Sequence, residues 1–417
     1  MPSPHEDLQL RLASPDEFDD VLRVFRRAFG EEYVPDATGV GKAVFEAERT
    51  LVFADGAQLV ATAGAETRDV TVPGAIVPAA HVTLVAVAPT YRRRGLLTRL
   101  MHRQLRDVRE AGVEPLAMLW ASEGRIYQRF GYASAARRLS MSADRREARL
   151  LPRLGAPTGT LREATPADAR KEMVELYEQA RPERVGWSSR DEAWWTFILN
   201  DPIENRGGAS AMRVLLYDGA GGPEGYARWR MRPEWGPGGP ASEVAVAELV
   251  ATTPAAYTEL WRFLLSVDLS RTVEFWAGSW DEPILHMVDE PRTLGGQQSD
   301  SLWVRITDVP AALSRRRYQI PVDLVIEVDD PLLPENAGRW RLRSDGPSGS
   351  GSCVPAGDRA EVDLACDVAD LGAAYLGGVS FATLAAAGRV RQARPGALAT
   401  ASTAFGWPRS PSSIEVF

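Results

Sequence analysis

The strongest chemical signal in the sequence is a basic turn that joins a buried strand to a helix. The segment Val85-Ala-Val-Ala-Pro-Thr-Tyr-Arg-Arg-Arg-Gly-Leu-Leu97 passes from an apolar strand pattern into an apolar helical stripe. Backbone N–H groups in the first turn of a helix lack intrahelical acceptors, and the helix dipole adds positive charge there. Gly95 permits close backbone approach, while Arg93 and Arg94 add guanidinium charge. The pattern predicts a pyrophosphate site; a solvated basic helix start is the alternative.

Cysteine and histidine contribute no recognisable site. Two cysteines are too few for a disulfide framework, and we interpret Cys366 as a core residue and Cys353 as a loop thiol. The four histidines are scattered, without the spacing of metal ligands, at positions 5, 81, 102 and 286. We therefore expect no metal in this protein.

Composition excludes several broad classes of protein. The 417 residues, at roughly 150 per domain, suggest about three domains. The net charge of −8 argues against a nucleic-acid-binding protein, which needs a basic face. No apolar run approaches the length of a membrane span, and the first residues lack the pattern of a signal peptide. We expect a cytoplasmic, multidomain protein with no partner nucleic acid and no membrane span.

The elements that position the basic turn form an α/β unit within residues 1–150. Ser14-Pro-Asp-Glu is typical of a helix start, and an apolar stripe follows it to Gly30. Asp55-Gly56 between two apolar runs predicts a hairpin. The pattern then predicts a strand, a helix and a second strand: His81–Ala88, bounded by Pro78 and Pro89; Leu96–Val108; and Pro115–Ala121.

Residues 151–300 repeat the same order of patterns, which suggests a duplicated domain. The sequence predicts a helix that starts at Thr165 and then a pair of hairpin strands. A strand at Ala245–Ala251 and a helix at Ala255–Val267 follow. The corresponding turn reads Ala251-Thr-Thr-Pro-Ala-Ala, with neither arginine nor glycine. Only the first copy is therefore expected to bind phosphate.

Residues 301–417 have a different pattern of strands followed by helices. Alternating strands are predicted at Asp323–Val328, Arg339–Arg343 and Glu361–Leu364, and helices at Asp367–Leu376 and Ser380–Ala387. The chain ends with the apolar residue Phe417. An apolar last residue suggests that the terminus packs against the protein.

The motifs resemble two nested families. The Arg-Arg-Arg-Gly-Leu-Leu turn after Val-Ala-Val resembles the pyrophosphate loop of GCN5-related N-acetyltransferases, Arg/Gln-x-x-Gly-x-Gly/Ala, although Leu97 departs from the common Gly or Ala. The same segment and Ala121-Ser-Glu-Gly-x-Ile-Tyr-x-Arg-Phe-Gly-Tyr132 look like the enhanced-intracellular-survival (Eis) acetyltransferases. So do Leu302-Trp-Val-Arg-Ile with Val309-Pro-Ala-Ala-Leu, and Tyr375-Leu-Gly with Thr383-Leu-Ala-Ala-Ala. The resemblance covers all three segments.

The resemblance implies a mixed α/β fold. Tandem acetyltransferase domains at 1–150 and 151–300 would be followed by a sterol-carrier-like α+β domain at 301–417, assembled as a homo-hexamer. Only the first domain would bind acetyl-CoA, in agreement with the altered second turn. By position in the motifs, the coenzyme would contact the pantetheine-pairing strand, the pyrophosphate turn and the end of the next strand: Val85, Ala86 and Val87; Arg93, Arg94, Gly95, Leu96, Leu97 and Thr98; Ser122 and Glu123.

The resemblance also implies the acid and the base of the reaction. An amine attacks the thioester directly, so the amine must lose a proton and the coenzyme thiolate must gain one. The acid would be Tyr127, since a phenol with a pKa of ~10 can give its proton to a thiolate in a site that excludes water. The base would be the terminal carboxylate of Phe417, which is ionised at neutral pH. A packing role for Tyr127 and an incidental apolar tail are the structural alternatives.

A cationic amine is the expected substrate. Phe29, Glu31 and Glu32, at the end of the first helix, stand where the family has substrate-cavity residues, although exposed loop acids are an equal alternative. Val416 departs from the family's acidic penultimate residue, which bears on how a bulky aminoglycoside is placed. Three hypotheses remain: an N-acetyltransferase for aminoglycoside-type polyamines, one for protein lysine or small arylalkylamines, and a lipid-binding protein built on the sterol-carrier-like domain.

Overall fold

The structure, a computed structural model, describes residues 8–35, 38–154, 159–349, 351–357 and 359–417, so His5 and the first seven residues lie outside it. In chain order the described strands are β1 Gln9–Leu12, β2 Leu51–Asp55, β3 Gln58–Val72, β4 Ala75–Val87, β5 Leu116–Trp120, β6 Ala133–Ser134, β7 Arg137–Asp144, β8 Thr160–Ala164, β9 Arg213–Gly219, β10 Gly222–Arg232, β11 Trp235–Gly236, β12 Gly239–Pro240, β13 Ser242–Ala251, β14 Ser270–Ser279, β15 Gln297–Asp300, β16 Leu302–Ile306, β17 Val322–Asp329, β18 Gly338–Ser344, β19 Ser352–Pro355, β20 Leu364–Asp367 and β21 Val390–Gln392.

The α-helices of the described residues are interleaved with these strands. They are α1 Phe18–Ala28, α2 Val40–Ala43, α3 Leu96–Ala111, α4 Gly124–Gln128, α5 Arg170–Ala180, α6 Glu192–Leu199, α7 Pro254–Leu264, α8 Val309–Arg315, α9 Val368–Tyr375, α10 Phe381–Ala386 and α11 Ala397–Phe405. None of them is long and apolar enough to cross a membrane. Within the same residues, no three His, Cys, Asp or Glu side chains are grouped as a metal site.

The first sheet carries the predicted turn. Its strand order is β1-β2-β3-β4-β5-β16-β6, and β4 and β5 are its parallel pair. Helix α3 buries its apolar stripe on one face, where Met101, Leu105 and Val108 pack against strand residues such as Ala80 and Leu119. This strand, turn, helix and strand order is the one that the apolar periodicity predicts.

The second sheet repeats the plan. Its order is β15-β7-β14-β13-β10-β9-β8, with β13 and β14 parallel and helix α7 between them. Helix α7 begins at Pro254, after the capping residue Thr253. The duplicated pattern in the sequence therefore corresponds to a duplicated fold.

Two strands lie in a different sheet from their neighbours in the chain. Strand β7 precedes the predicted boundary at residue 150, yet it pairs with β14 and β15 in the second sheet. Strand β16 follows the predicted boundary at residue 300, yet it lies between β5 and β6 in the first sheet. The two domains thus exchange strands across both predicted boundaries.

The C-terminal part packs a third sheet, β19-β18-β17-β20-β21, against helices α8 to α11. Its core is continuous with one face of the first sheet, since Met118 and Val304 share a cluster with Leu371 and Ala374 of α9. Gly372 makes this approach possible, because a Cβ there would lie 2.9 Å from the Val304 carbonyl oxygen. The third domain is therefore docked directly on the first.

Several local predictions differ from the structure. Strand β4 runs through Pro78, which was expected to bound it, because residues 75–78 pair with β3 alone and leave the other edge free. Cys353 is buried in β19 and is not a loop thiol. Residues 361–363 are not in a strand, and helix α11 was not predicted. Its small residues lack the large apolar stripe by which helices are recognised.

Candidate functional site

The basic turn has the geometry of an anion site. Gly95 caps helix α3 with a φ of 76°, and Arg93 has a φ of 62°, so the turn contains two left-handed residues. No side chain caps the helix, which leaves its first N–H groups pointing out of the turn. A Cβ on Gly95 would meet no atom within 4 Å, so the space beside these N–H groups is open. The turn therefore fits a pyrophosphate.

The three arginines of the turn have different surroundings. Arg92 donates to the Ala28 carbonyl oxygen at 2.9 Å and ties the turn to helix α1. Arg94 donates to the Thr90 carbonyl oxygen at 2.9 Å, and its guanidinium lies over a neighbouring tyrosine ring. Arg93 is exposed and has no hydrogen-bond or ion-pair partner among the described residues. Arg93 is thus the guanidinium best placed to meet an anion, while Arg94 supports the turn.

Strands β4 and β5 separate just before the turn. Their parallel pairing is confined to residues 79–81 of β4 and 116–118 of β5. Leu84 then takes a left-handed φ of 51°, and Ala86 and Val87 remain paired with β3 only. The other backbone edge of residues 85–87 faces the gap between the strands. An extended amide chain such as pantetheine fits such an edge, as an added strand would.

Tyr127 lies beyond the end of β5 on the short helix α4. Ser122 and Glu123 are exposed between the two elements. A Cβ on Gly124 would lie 2.8 Å from the Trp303 ring, so this glycine lets α4 sit close against β16. Tyr127 is only 6% exposed. Burial raises its pKa to about 12, and a hydrogen bond with Ser122 acts in the opposite direction. Its hydroxyl therefore keeps its proton at neutral pH.

The C-terminus is packed, as its apolar last residue predicts. The Phe417 ring meets the His81 ring edge-on, with centroids 4.5 Å apart. His81 is fully buried between the Ala79 carbonyl oxygen, 2.9 Å from Nδ1, and the Ser188 hydroxyl, 2.7 Å from Nε2. Burial and the charge of Arg68 hold the pKa of His81 well below its usual value. Phe417 thus rests on a neutral imidazole.

A buried network of charges anchors the segment just before Phe417. Glu415 is bound by Arg68 of β3 through one oxygen and by Arg190 through the other, the latter at 2.7 Å. Arg190 also binds Glu248 of β13 at 2.7 Å, and Glu248 accepts from Tyr226. Burial alone would raise the pKa of Glu415, but the two arginines outweigh it and lower that pKa. The terminus is therefore held by β3 of the first sheet and, through Arg190, by β13 of the second sheet.

Tyr127 and Phe417 lie on opposite faces of the first sheet. Tyr127 packs in the cluster beneath α3 with Ala80 and Leu119. Phe417 packs against the cluster shared with the third domain and touches His81, which points to the other face. The pairing of β4 with β5 ends at His81 and Met118, so the two strands separate beside the ring that contacts Phe417.

The predicted substrate residues lie away from both Tyr127 and Phe417; they are Phe29, Glu31 and Glu32. Phe29 is half exposed and contacts the Phe25 ring at 4.7 Å. Glu31 pairs with Arg26 and lines a cleft of about 560 Å³ beside helix α1, while Glu32 is exposed. Neither Tyr127 nor Phe417 lines that cleft. No described contact brings these three residues to the terminus.

Several residues around the terminus were missed by the sequence reasoning. Glu66, Arg68 and His81 share one face of the β3–β4 hairpin, and Arg190 comes from the second domain. The available signal was weak: two charged residues at alternate positions, Glu66 and Arg68, follow the apolar first half of the strand. Such positions are unusual on a buried face.

The second copy of the turn is closed to anions. Its helix α7 is capped, since the Thr253 hydroxyl accepts from the Ala256 N–H at 3.2 Å. The same hydroxyl donates to the Glu224 carboxylate at 2.8 Å. A carboxylate and a filled cap occupy the place that α3 leaves open, so the second turn is unsuited to a phosphate.

Known families match the chain in three consecutive parts. The description "Acetyltransferase (GNAT) domain" matches residues 9–135 and again residues 186–306, and "Sterol carrier protein domain" matches residues 309–413. These matches confirm the predicted fold class of two acetyltransferase domains followed by a sterol-carrier-like domain.

Relatives match over nearly the whole chain. The chain is 44% identical to an "Uncharacterized N-acetyltransferase" of Streptomyces avermitilis, over 93% of each chain. It is 32% identical to "N-acetyltransferase Eis" of Mycobacterium tuberculosis, over 92% of this chain and 94% of that one. The crystal structure of Eis1 from Mycobacterium abscessus is similar, with a TM-score of 0.82, 33% identity and coverage of 98% and 100%. The chain therefore belongs to the GCN5-related N-acetyltransferases of the Eis type, an enzyme family whose fold implies the use of acetyl-CoA.

Proposed function

We propose that the protein transfers an acetyl group from acetyl-CoA to amines of aminoglycoside-type polyamines. Tyr127 is the general acid in this proposal, and the terminal carboxylate of Phe417 is the general base. The observation that carries it is the position of these two residues. A neutral buried phenol and a packed chain terminus lie on the two faces of the first sheet, where β4 and β5 separate.

The coenzyme would enter along the α3 face. Its pyrophosphate would meet the N–H groups of Leu96, Leu97 and Thr98 and the free guanidinium of Arg93. Its pantetheine arm would pair with the open edge of residues 85–87, and Ser122 and Glu123 would line its thioester end. The open space at Gly95 and the uncapped helix support this arrangement.

The proton transfers balance between the two sides. The amine nitrogen attacks the thioester carbon, the carbon–sulfur bond breaks, and the leaving thiolate takes the Tyr127 hydroxyl proton. The dry site that raises the pKa of Tyr127 also raises the proton affinity of the thiolate. Before the attack, the acceptor ammonium gives one proton to the Phe417 carboxylate, directly or through water. After the attack, the nitrogen loses its second proton, which restores the Tyr127 hydroxyl.

The proposal also covers the substrate cavity, the assembly and the location of the protein. The substrate-cavity roles of Phe29, Glu31 and Glu32 come from their motif positions, and Glu31 lines an open cleft. The homo-hexamer and the cytoplasmic location come from the family resemblance. Light scattering tests the hexamer, which would have six times the mass of the 45.6 kDa chain.

Release of the coenzyme thiol tests the reaction. With kanamycin or tobramycin as acceptor, we expect turnover that falls about 100-fold or more in Tyr127→Phe. Tyr132→Phe is the matched control, because its buried hydroxyl has no partner among the described residues and its ring touches Tyr127. Equal losses in both variants would assign Tyr127 a packing role.

The base is tested at the terminus itself. Removal of Phe417 deletes ring and carboxylate together, whereas one glycine added after Phe417 keeps the ring and moves the carboxylate. We expect both changes to abolish rapid turnover, and full activity of the extended chain would exclude the carboxylate as base. The alternative functions are distinguished by coenzyme binding. If acetyl-CoA binds but aminoglycosides are not acetylated, lysine peptides and arylalkylamines become the acceptors to test. If acetyl-CoA does not bind, a lipid-binding role is the better hypothesis.

A further inference from the structure

Glu66 is a carboxyl group without a partner. Its Oε2 is buried and accepts no hydrogen bond, and no described residue forms an ion pair with it. Its neighbours on β3 have other partners: Thr67 binds Glu46, and Arg68 binds Glu415, although Nη1 of Arg68 has no hydrogen-bond partner among the described residues. An unpaired buried polar group costs folding free energy, so such a group in a native fold calls for a ligand or another compensating role.

The position of Glu66 relates it to the chain terminus. Glu66 lies directly opposite His81 in the antiparallel register, so the two side chains share a face. The His81 ring carries Phe417. Glu66 itself is only partly buried, and its register opposite His81 puts it on the face of the sheet against which Phe417 packs. His81 thus links the two residues, because it is the cross-strand neighbour of Glu66 and its ring contacts the ring of Phe417.

The charges around Glu66 favour a cation. Arg68 is already neutralised by Glu415, and its guanidinium lies over the Trp194 ring at 4.1 Å. The groups that act on Glu66 are one arginine, three carboxylates and the neutral His81: Arg68, Glu415, Glu46, Asp191 and His81. A second positive group would therefore be attracted here, and an anion would be repelled.

We infer that Glu66 binds a second ammonium group of the acceptor, next to the amine presented to the Phe417 carboxylate. The site then selects acceptors that carry two amino groups a short distance apart. This inference rests on the proposed function, because it assumes that the acceptor amine reacts at Phe417.

The two protonation states of Glu66 give the binding step a distinct signature. Burial raises the pKa of Glu66 to about 8, so the empty site holds a protonated carboxyl at neutral pH. An ammonium group stabilises the carboxylate, and the carboxyl proton leaves for the solvent. No covalent bond changes in this step. Binding of a diamine near pH 6.5 therefore releases about one proton, which a purely structural Glu66 would not do.

The proposed selectivity for diamines is tested with pairs of acceptors that differ in one amino group. Linear diamines from 1,3-diaminopropane to cadaverine are compared with amino alcohols of the same length, in which a hydroxyl replaces one ammonium. We expect the best diamine to have a KM about tenfold below that of its amino alcohol in the parent protein. The preference should fall below about twofold in Glu66→Gln and return in part in Glu66→Asp, which keeps the carboxyl group. Glu175→Gln, which removes an exposed charge from α5, is the control.

Calorimetry in buffers of different ionisation enthalpy counts the released proton. We expect proton release on diamine binding in the parent and none in Glu66→Gln. Equal KM ratios and equal proton counts in the two proteins would overturn the inference. If no amine at all accelerates thiol release, the proposed function fails instead, and the proton count still decides whether Glu66 binds an ammonium group.

Discussion

Arg68 and Glu415 form a buried ion pair although 347 positions of the chain separate them. Arg190 completes the arrangement from the second domain by holding the other oxygen of Glu415. Residues from two domains therefore fix the Glu415 carboxylate, and the terminal residue Phe417 follows it two positions later. A chain end is normally frayed, and this one is anchored at the buried Glu415.

Glu415→Gln should cost both stability and activity. The change leaves Arg68 and Arg190 without a shared counter-charge in a buried place, where breaking an ion pair costs about 3–5 kcal/mol. It also frees Phe417, so kcat should fall more than KM rises. Thermal unfolding and steady-state kinetics measure the two effects. Val416→Ala is the control, because Val416 is 55% exposed; unchanged stability of Glu415→Gln would contradict the anchoring role.

Gly95→Ala should raise the KM for acetyl-CoA. The added methyl group enters the open space beside the helix N–H groups, and the φ of 76° strains any side chain by about 1 kcal/mol. Gly112→Ala at the other end of α3 is a matched control, because its φ is 68° and its Cβ would also meet nothing within 4 Å. Both variants should lose similar stability, but only Gly95→Ala should lose affinity. Equal KM values would place the pyrophosphate elsewhere.

Arg93→Gly should weaken the binding of acetyl-CoA without lowering the stability of the fold. Arg93 holds a left-handed φ of 62° without a described partner, so glycine relieves strain and removes no internal contact. We expect the free energy of unfolding to stay equal or to rise by up to about 1 kcal/mol. The KM for acetyl-CoA should rise about fivefold to tenfold, from the loss of one charge-assisted contact. A fall in stability together with an unchanged KM would show that Arg93 supports the fold.

The stability of the protein should depend on Glu66 at alkaline pH. The pKa of Glu66 is about 8 in the folded chain and near 4.5 in the unfolded chain. The protonated form is thus favoured by folding, and its contribution to stability is complete below pH 4.5 and lost as the pH rises through 8. Glu66→Gln cannot ionise, so its melting temperature should exceed that of the parent increasingly from pH 6 to pH 9. A constant difference over this range would mean that Glu66 ionises normally.

Local patterns predicted much of the fold. The apolar stripe of α3, the flanking strands and the turn at Gly95 are short-range features, so residue spacing alone indicates them. The exchange of β7 and β16 is different, because a strand has the same alternation whichever sheet it joins. Arg68, Glu66 and His81 were missed for a similar reason. Arg68 binds Glu415, His81 contacts Phe417, and Glu66 lies opposite His81, and no local spacing encodes these long-range relationships.

The exchanged strands also bear on how the protein is made. Strand β16 fills the place between β5 and β6, so the first sheet is incomplete until residue 306 has been synthesised. Strand β7 is synthesised much earlier and has no partner strand until β14 and β15 have been synthesised. A fragment that ends near residue 135 would expose the edge of β5, and an open edge promotes aggregation. The first acetyltransferase domain therefore needs the chain up to residue 306, which argues against cutting it out for expression, screening or crystallisation.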